Sequence, residues 1–120
     1  MDPPAVIATL CCLLTVAVAD PQPRIREAVL TCLAPRTDPY LAHVDLVQII
    51  CACLRNPHVQ VCAAALSLAG RLMARNPSVV VPALWRVLIR LTHEVQVSTN
   101  PTAQAEAARL LSILIGAARA

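Results

Sequence analysis

Apolar and polar residues follow one another along segment 78–96 with the period of an α-helix. Since such a helix turns once in about 3.6 residues, side chains three or four positions apart share a face. The apolar face comprises Leu84, Leu88, Leu91 and Val95, and the opposite face carries Arg86, Arg90 and His93. The pattern predicts an amphipathic helix whose leucines are buried and whose arginines meet solvent or a partner. Pro82 is expected in its first turn or at a kink.

Three segments of the chain begin alike, with Asp or Asn followed by proline. The side-chain oxygen of Asp or Asn accepts a hydrogen bond from a free N–H at a helix start, and proline suits the first turn. Helices are therefore expected to begin at Asp20-Pro21, Asn56-Pro57 and Asn100-Pro101. In each copy an alanine follows eight residues later and a leucine ten residues later: Ala28, Ala64 and Ala108, then Leu30, Leu66 and Leu110. The alanines are expected to admit a close partner helix, and the leucines to pack between helices.

The three copies start 36 and then 44 residues apart, a period typical of helical solenoids. An apolar segment precedes each copy, and these segments are predicted to be helices over 4–19, 40–55 and 78–96. The second copy, 57–75, is apolar nearly all round and is expected between neighbouring helices. The chain is therefore predicted to be all-α, with about three helix–turn–helix repeats in one continuous domain: 1–36, 37–76 and 77–120. Prolines are expected to end helices at the junctions, at Pro35, Pro39 and Pro77.

Composition supports this prediction and excludes several kinds of chemistry. The 120 residues are 58% apolar and 14% charged, which indicates one ordered domain. Two glycines are too few for a glycine-rich phosphate loop. All ten basic residues are arginine, which excludes lysine Schiff bases and lysine-dependent phosphoryl transfer. The formal net charge of +3 is too small by itself to indicate nucleic-acid binding.

Six cysteines lie in the first 62 residues, several of them inside apolar runs. Reduced thiols used as small apolar residues in a cytoplasmic protein are the simplest interpretation. His58 and Cys62 are four residues apart and could form a thiolate–imidazole pair, although core packing uses the same spacing. A zinc site using these two with Cys51 or Cys53 lacks an obvious fourth ligand. The sequence therefore predicts no catalytic residue, no metal and no cofactor in this segment.

A secreted protein is an alternative. Residues 3–19 are uncharged, and Ala17-Val18-Ala19 is similar to a signal-peptidase site. However, Asp2 and two prolines stand where a signal peptide carries positive charge, and the run is short for a bilayer span. The secreted alternative predicts oxidised cysteines, whereas a buried first helix is compatible with free thiols.

The segment Asp20-Pro-x-Pro-x-Ile25-Arg26-x-Ala28 resembles the HEAT repeat. In that repeat the turn between two helices carries Asp and Pro, and the second helix opens with an aliphatic residue and Arg. The other two copies keep the turn and the alanine but carry Cys62 and Glu106 in place of the arginine. The resemblance implies a HEAT/armadillo-like helical solenoid.

Residues 38–115 more narrowly resemble the HEAT region of target of rapamycin (TOR), a family of very large phosphatidylinositol-kinase-related Ser/Thr protein kinases. The resemblance is carried by Asp38-Pro-Tyr, Gly70-Arg-Leu, Asn76-Pro, Pro82-x-Leu-x-x-x-Leu-Ile and Ala108-Arg-Leu-Leu. It implies a non-catalytic scaffold segment that serves protein–protein interaction in growth and nutrient signalling. A parent kinase would use ATP and Mg, but this chain has no His-Arg-Asp-type loop, no Asp-Phe-Gly motif and no lysine.

The candidate interaction surface consists of four arginines and one tryptophan: Arg71, Arg75, Trp85, Arg86 and Arg90. The arginines fall in two pairs, each four residues apart on a predicted helix. Antiparallel packing of the two helices would join them in one basic band able to meet acidic partners. Trp85 is a candidate interface anchor, or packs against a neighbouring repeat. The alternative is a solvated face, with Arg90 paired to Glu94.

The expected partners are proteins, or neighbouring HEAT repeats of a larger chain, in the cytoplasm. No small-molecule substrate and no membrane span are expected. Two rivals remain open: a HEAT/armadillo-like adaptor unrelated to TOR, and an arginine-rich helical repeat that binds nucleic acid. The lack of lysine and of stacking aromatic residues counts against the second. Because the end repeats lack a neighbour, 4–19 and 102–118 are expected to expose apolar faces and to make the isolated chain self-associate.

Overall fold

The computed structural model describes residues 3–56 and 58–119, with side chains over 4–56 and 58–116. Within these ranges the chain forms seven α-helices and one 3-10 turn, and no strand. The helices are α1 (Pro3–Ala19), α2 (Pro23–Cys32), α3 (Asp38–Leu41), α4 (Val44–Cys53), α5 (Val59–Leu72), α6 (Pro77–Val97) and α7 (Pro101–Arg119), and the 3-10 turn is Pro35–Thr37. The prediction of an all-α chain is confirmed.

The six long helices form three pairs that are stacked in two layers. Within the pairs, α1 packs on α2, α4 on α5, and α6 on α7. Along the stack, α1 contacts α4 and α4 contacts α6 in one layer, while α2 contacts α5 and α5 contacts α7 in the other. Each pair thereby buries its apolar faces against the next pair, as in a helical solenoid. The molecule is accordingly elongated, with extents of 50 × 30 × 18 Å.

The core lies between the two layers, and α5 is its centre. This helix contacts α2, α4, α6 and α7 and buries residues on most of its circumference, so the enclosure predicted for segment 57–75 is confirmed for its described helical part, Val59–Leu72. The repeat leucines all belong to the core, with Leu30, Leu66 and Leu110 exposing 2%, 0% and 6% of their surface. The role predicted for these leucines is therefore confirmed.

The role predicted for the repeat alanines is wrong. Ala28 and Ala108 are exposed, and Ala64 is half-buried. On α5 the small residues that are fully buried are Ala65 and Ala69. Because consecutive residues of a helix point about 100° apart, an offset of one position moves a side chain away from the interface.

The three Asp/Asn-Pro segments form the same local turn. In each, Oδ1 accepts a hydrogen bond from the backbone N–H two residues later. The pairs are Asp20 with Gln22 at 2.8 Å, Asn56 with His58 at 2.9 Å, and Asn100 with Thr102 at 2.9 Å. The prediction that these side chains satisfy free N–H groups next to a helix start is confirmed.

The helix starts agree with the prediction in the third copy alone. There α7 begins at Pro101. In the first copy α2 begins at Pro23, since Gln22 is the residue before the helix and proline fits the first helical position. In the second copy α5 begins at Val59, and the predicted start at Pro57 lies outside the described residues.

The prediction of a helix over 40–55 is wrong at its start. The 3-10 turn and α3 occupy residues 35–41, and α4 begins at Val44. His43 interrupts the helix because its backbone is extended, with ψ of 136°. Its Nδ1 accepts a hydrogen bond from the N–H of Asp45 at 3.3 Å, so the imidazole caps α4.

At the junctions α2 ends at Cys32 and α5 at Leu72, before Pro35 and Pro77 as expected, and the junction prolines lie in the first turn of the next helical segment. Pro35 and Pro77 are the first residues of their elements, and Pro39 is the second residue of α3. The first turn of a helix leaves its N–H groups free, so a proline there loses no hydrogen bond. Pro82 lies beyond the first turn of α6, where it removes the donor that the Ser78 carbonyl would otherwise meet.

The amphipathic pattern of α6 is confirmed. Leu84 and Leu91 are 6% and 4% exposed, and Leu88 and Val95 pack against the core. The opposite face, with Arg86, Arg90 and His93, is exposed. The helix therefore presents its arginines on the outside of the layer that contains α1, α4 and α6.

Candidate functional site

Arg71 joins separate elements of the fold. Its guanidinium, on α5, reaches the carboxylate of Asp38 at the start of α3, with Nη2 to Oδ1 at 2.7 Å and Nε to Oδ2 at 3.3 Å. Nη2 also donates to the carbonyl of Leu33 at 3.0 Å. The Asp38 side chain is 9% exposed and that of Arg71 is 34% exposed. Most of the hydrogen-bonding capacity of Arg71 is thus directed at the protein itself.

Arg86 and Arg90 line a groove between α4 and α6, with a volume of about 620 Å³. A third arginine, Arg55, follows α4 and lines the same groove. Arg90 Nη2 donates to the carbonyl of Leu54 at 3.0 Å, which satisfies an acceptor at the carboxyl end of α4. The expected Arg90–Glu94 ion pair is absent from the salt bridges of the described residues, and Arg90 is turned towards α4 instead.

The arginines that the sequence grouped together do not all meet. The structure brings Arg86 and Arg90 together, but it places Arg71 against Asp38 and leaves Arg75 exposed outside the groove. Arg55 was missed by the sequence reasoning. Its position just after an apolar helix, directly before the Asn-Pro turn, was the one available signal.

Trp85 lies on a different face of α6. It is 58% exposed and lines an apolar cavity of about 230 Å³ where α6 meets α7. The other lining residues are Met73, Val81, Leu84, Leu88, Leu114 and Ile115. Further apolar surface is open at both ends of the stack: Leu13, Val16 and Val18 on α1 are 37%, 39% and 44% exposed, and Ile115 on α7 is 52% exposed. Exposed apolar surface of this kind indicates a contact with another protein element.

The cysteines are all free thiols. Cys62 is 1% exposed and its Sγ donates to the Leu54 carbonyl at 3.3 Å, whereas His58 is exposed. Burial raises the pKa of Cys62, an effect that the nearby Arg90 only partly opposes. Burial likewise raises the pKa of Cys53 to about 11. Because the thiolate is the reactive form, this geometry does not support a cysteine–histidine pair.

The described part of the chain contains neither a cluster of metal ligands nor a membrane-spanning helix. No three His, Cys, Asp or Glu side chains come together as ligands for a metal ion. No described helix is both long and apolar enough to cross a bilayer.

The fold and these surfaces define the class of protein: an all-α chain of stacked helix pairs that presents a basic groove and an apolar face. No protein-family model matches the sequence. The chain is 36% identical over 107 residues to the serine/threonine-protein kinase tor1 of Schizosaccharomyces pombe, which covers 89% of this chain and 5% of that protein. It is 39% identical over 105 residues to the serine/threonine-protein kinase TOR of Oryza sativa and 37% identical over 105 residues to that of Arabidopsis thaliana. Each of these two matches covers 86% of this chain and 4% of the relative.

The chain is therefore related to a short segment of the TOR Ser/Thr protein kinases, as the resemblance in its sequence predicted. It spans only 4–5% of the length of these relatives.

Proposed function

We propose that the chain is a non-catalytic scaffold segment of HEAT type and acts within the large architecture of a TOR-like Ser/Thr protein kinase. The observation that carries the proposal is the extent of the similarity, which covers 86–89% of this chain but 4–5% of the relatives. A match that covers most of this chain but little of the relative is expected when the chain corresponds to one structural unit of a long protein. In this proposal the repeats are 1–36, 37–76 and 77–120, and the ATP- and Mg-dependent chemistry belongs to another part of the kinase.

The two-layer stack supports a mechanical role for the segment. Stacked helix pairs hold whatever lies at their two ends at a fixed separation and orientation. The 50 Å length of the stack sets that separation here. Such a scaffold contributes to growth and nutrient signalling in the cytoplasm by positioning partners and remote domains, without chemistry of its own.

The apolar face around Trp85 is the proposed contact with the adjoining helices of the larger protein. Its tryptophan is 58% exposed, and the cavity beside it is lined by apolar side chains from α6 and α7. Covering this surface removes apolar area from water, which is favourable by about 25 cal/mol per Å². A neighbouring helix pair with an apolar face is therefore the expected occupant.

An immunoblot provides the first test. An antibody raised against residues 70–90 should detect, in the source cells, a protein far heavier than the 12.8 kDa of this chain. A single band at the mass of the chain would contradict the proposal that the segment works inside a large kinase, and would favour a small helical-repeat adaptor.

A segment exchange provides the second test. In the tor1 kinase of Schizosaccharomyces pombe, the segment similar to this chain is replaced by the corresponding residues of this chain, and the abundance and kinase activity of the chimera are measured. Both should be retained, and Trp85→Asp should lower them, because a carboxylate would be buried in an apolar contact. Thr92→Asp is the matched control, since Thr92 is exposed on the same helix and lies outside the cavity. A chimera that is abundant but inactive, or equal losses with both variants, would refute the proposal.

A further inference from the structure

The groove between α4 and α6 combines donors and an acceptor along one concave surface. Its polar lining comprises Gln48, Cys51, Arg55, Ser78, Arg86 and Arg90. The volume of about 620 Å³ is enough for several side chains of a peptide. It lies on a different surface from the apolar cavity beside Trp85, with which it shares no lining residue.

The groove carries positive charge. Three guanidinium groups line it, and no carboxylate does. Glu94 and Glu106 line an adjacent depression together with Arg55 and Arg90, whereas Arg86 does not line that depression. Arg86 also takes part in neither of the two salt bridges of the described residues. An anionic ligand would therefore gain most from Arg86.

The guanidinium group is suited to a carboxylate. Its planar fork donates two parallel hydrogen bonds to the two carboxylate oxygens. Arg90 already uses one Nη2 hydrogen bond on the carbonyl of Leu54, which holds its side chain over the groove. A side chain positioned in advance loses less conformational entropy when a ligand binds.

Pro82 leaves one carbonyl of α6 without its usual helical donor. It has no N–H, so the carbonyl of Ser78, four residues earlier, lacks its usual helical donor. Both Ser78 and Pro82 line the groove. The N–H of a peptide backbone can donate to this carbonyl, whereas the phosphodiester groups of a nucleic-acid backbone have no hydrogen to donate. The combination of three donors and one acceptor thus favours a peptide over the backbone of a nucleic acid.

Nucleic acid fits the groove less well. Proteins that hold single-stranded nucleic acid stack its bases on aromatic side chains. No aromatic residue lines this groove, and Trp85 faces the other cavity.

We propose that the groove between α4 and α6 binds an acidic peptide segment of a partner protein, with its Asp or Glu carboxylates on Arg86, Arg55 and Arg90 and a backbone N–H on the carbonyl of Ser78. The site is independent of the apolar face, so it can be tested without reference to any larger kinase.

The probe for the test is a fluorescein-labelled peptide of about ten residues in which glutamate alternates with alanine, titrated with the full 120-residue chain in anisotropy measurements. A dissociation constant of about 10–100 μM is expected at low salt, weakening as salt screens the charges. Arg86→Glu should weaken binding at least about tenfold, because it replaces the unpaired guanidinium by a repelling charge. Arg75→Glu is the matched control, since it makes the same charge change at an exposed arginine outside the groove, and it should change binding less than about twofold.

Two further measurements make the outcome decisive. Circular dichroism of Arg86→Glu should match the original chain, which separates lost binding from lost folding. A single-stranded oligonucleotide of equal charge serves as the competing class of ligand and should bind more weakly than the peptide. The proposal is overturned if the peptide shows no binding at about 1 mM, if Arg75→Glu weakens binding as much as Arg86→Glu does, or if the oligonucleotide binds as tightly as the peptide.

Discussion

The partly buried ion pair between Arg71 and Asp38 should stabilise the fold more than an exposed ion pair would. The perturbation is Arg71→Ala, which removes three hydrogen bonds at once: two to the Asp38 carboxylate and one to the Leu33 carbonyl. It leaves a carboxylate with a 9% exposed side chain without its cation. Both effects destabilise the folded chain, because an unpaired buried charge is poorly solvated.

The magnitude follows from the burial of the two partners. Removing one partner of a buried ion pair costs about 3–5 kcal/mol. The Arg71 side chain is 34% exposed, so water partly replaces it and the effect is reduced. We expect the free energy of unfolding to fall by about 2–3 kcal/mol. The double variant Arg71→Ala, Asp38→Ala should lose about 1–2 kcal/mol less stability than the sum of the two single losses, since the two side chains act together.

The assay is urea unfolding of the four variants of this double-mutant cycle, followed by circular dichroism. Arg75→Ala is the matched control, because it removes an exposed arginine one turn further along, and its effect should stay within about 0.5 kcal/mol. The double replacement of Arg71 by Met and Asp38 by Leu should be nearly neutral, as is found when buried ion pairs are replaced by apolar residues. If Arg71→Ala lowers the free energy of unfolding no more than Arg75→Ala does, the ion pair between α5 and α3 does not stabilise the fold, and the prediction is wrong.

Four other predictions concern the thiols, an arginine and the apolar face. Because the pKa of Cys53 is raised from 9.0 to about 11 in the folded chain, this thiol ionises at a lower pH in the unfolded chain. The free energy of unfolding should therefore fall by up to about 2 kcal/mol between pH 9 and 11, and Cys53→Ala should flatten this pH dependence. Exposed Cys12 and Cys32 should react with iodoacetamide in the folded protein, whereas Cys53 should react only after unfolding, and equal labelling would contradict the burial. Arg26→Met should leave the stability unchanged or raise it by about 1 kcal/mol in urea unfolding, since the buried Arg26 Nε has no hydrogen-bond partner. The isolated chain should self-associate in sedimentation experiments, and Trp85→Asp should reduce this association. A chain that stays monomeric at high concentration would show that the exposed apolar face does not drive association.

Local turn chemistry was predictable because it acts within a few residues. The Asp or Asn oxygen at positions 20, 56 and 100 meets an N–H two residues away whatever the rest of the chain does. The interruption at His43 was not predictable in this way. The apolar pattern continues through residues 40–55, and only the packing of α3 and the imidazole cap show where α4 begins.

Resemblance to TOR could likewise be inferred from short motifs, and the relatives confirm it over most of the chain. The motifs are structural ones, so they predict the family without predicting which residues contact a partner. The segment exchange and the peptide-binding measurements test the scaffold role and the contact residues directly.

The sequence by itself determined the all-α class, the order of the six long helices and the leucines of the core, since each follows from the spacing of apolar residues along the chain. The tertiary structure alone decided which arginines meet. Arg71 and Arg55 both lie near the carboxyl ends of apolar helices, yet one is turned against Asp38 and the other lines the groove beside Arg86. The reason is geometric: the groups a side chain meets depend on how two helices are rotated against one another, and that rotation is set by the packing of the whole core.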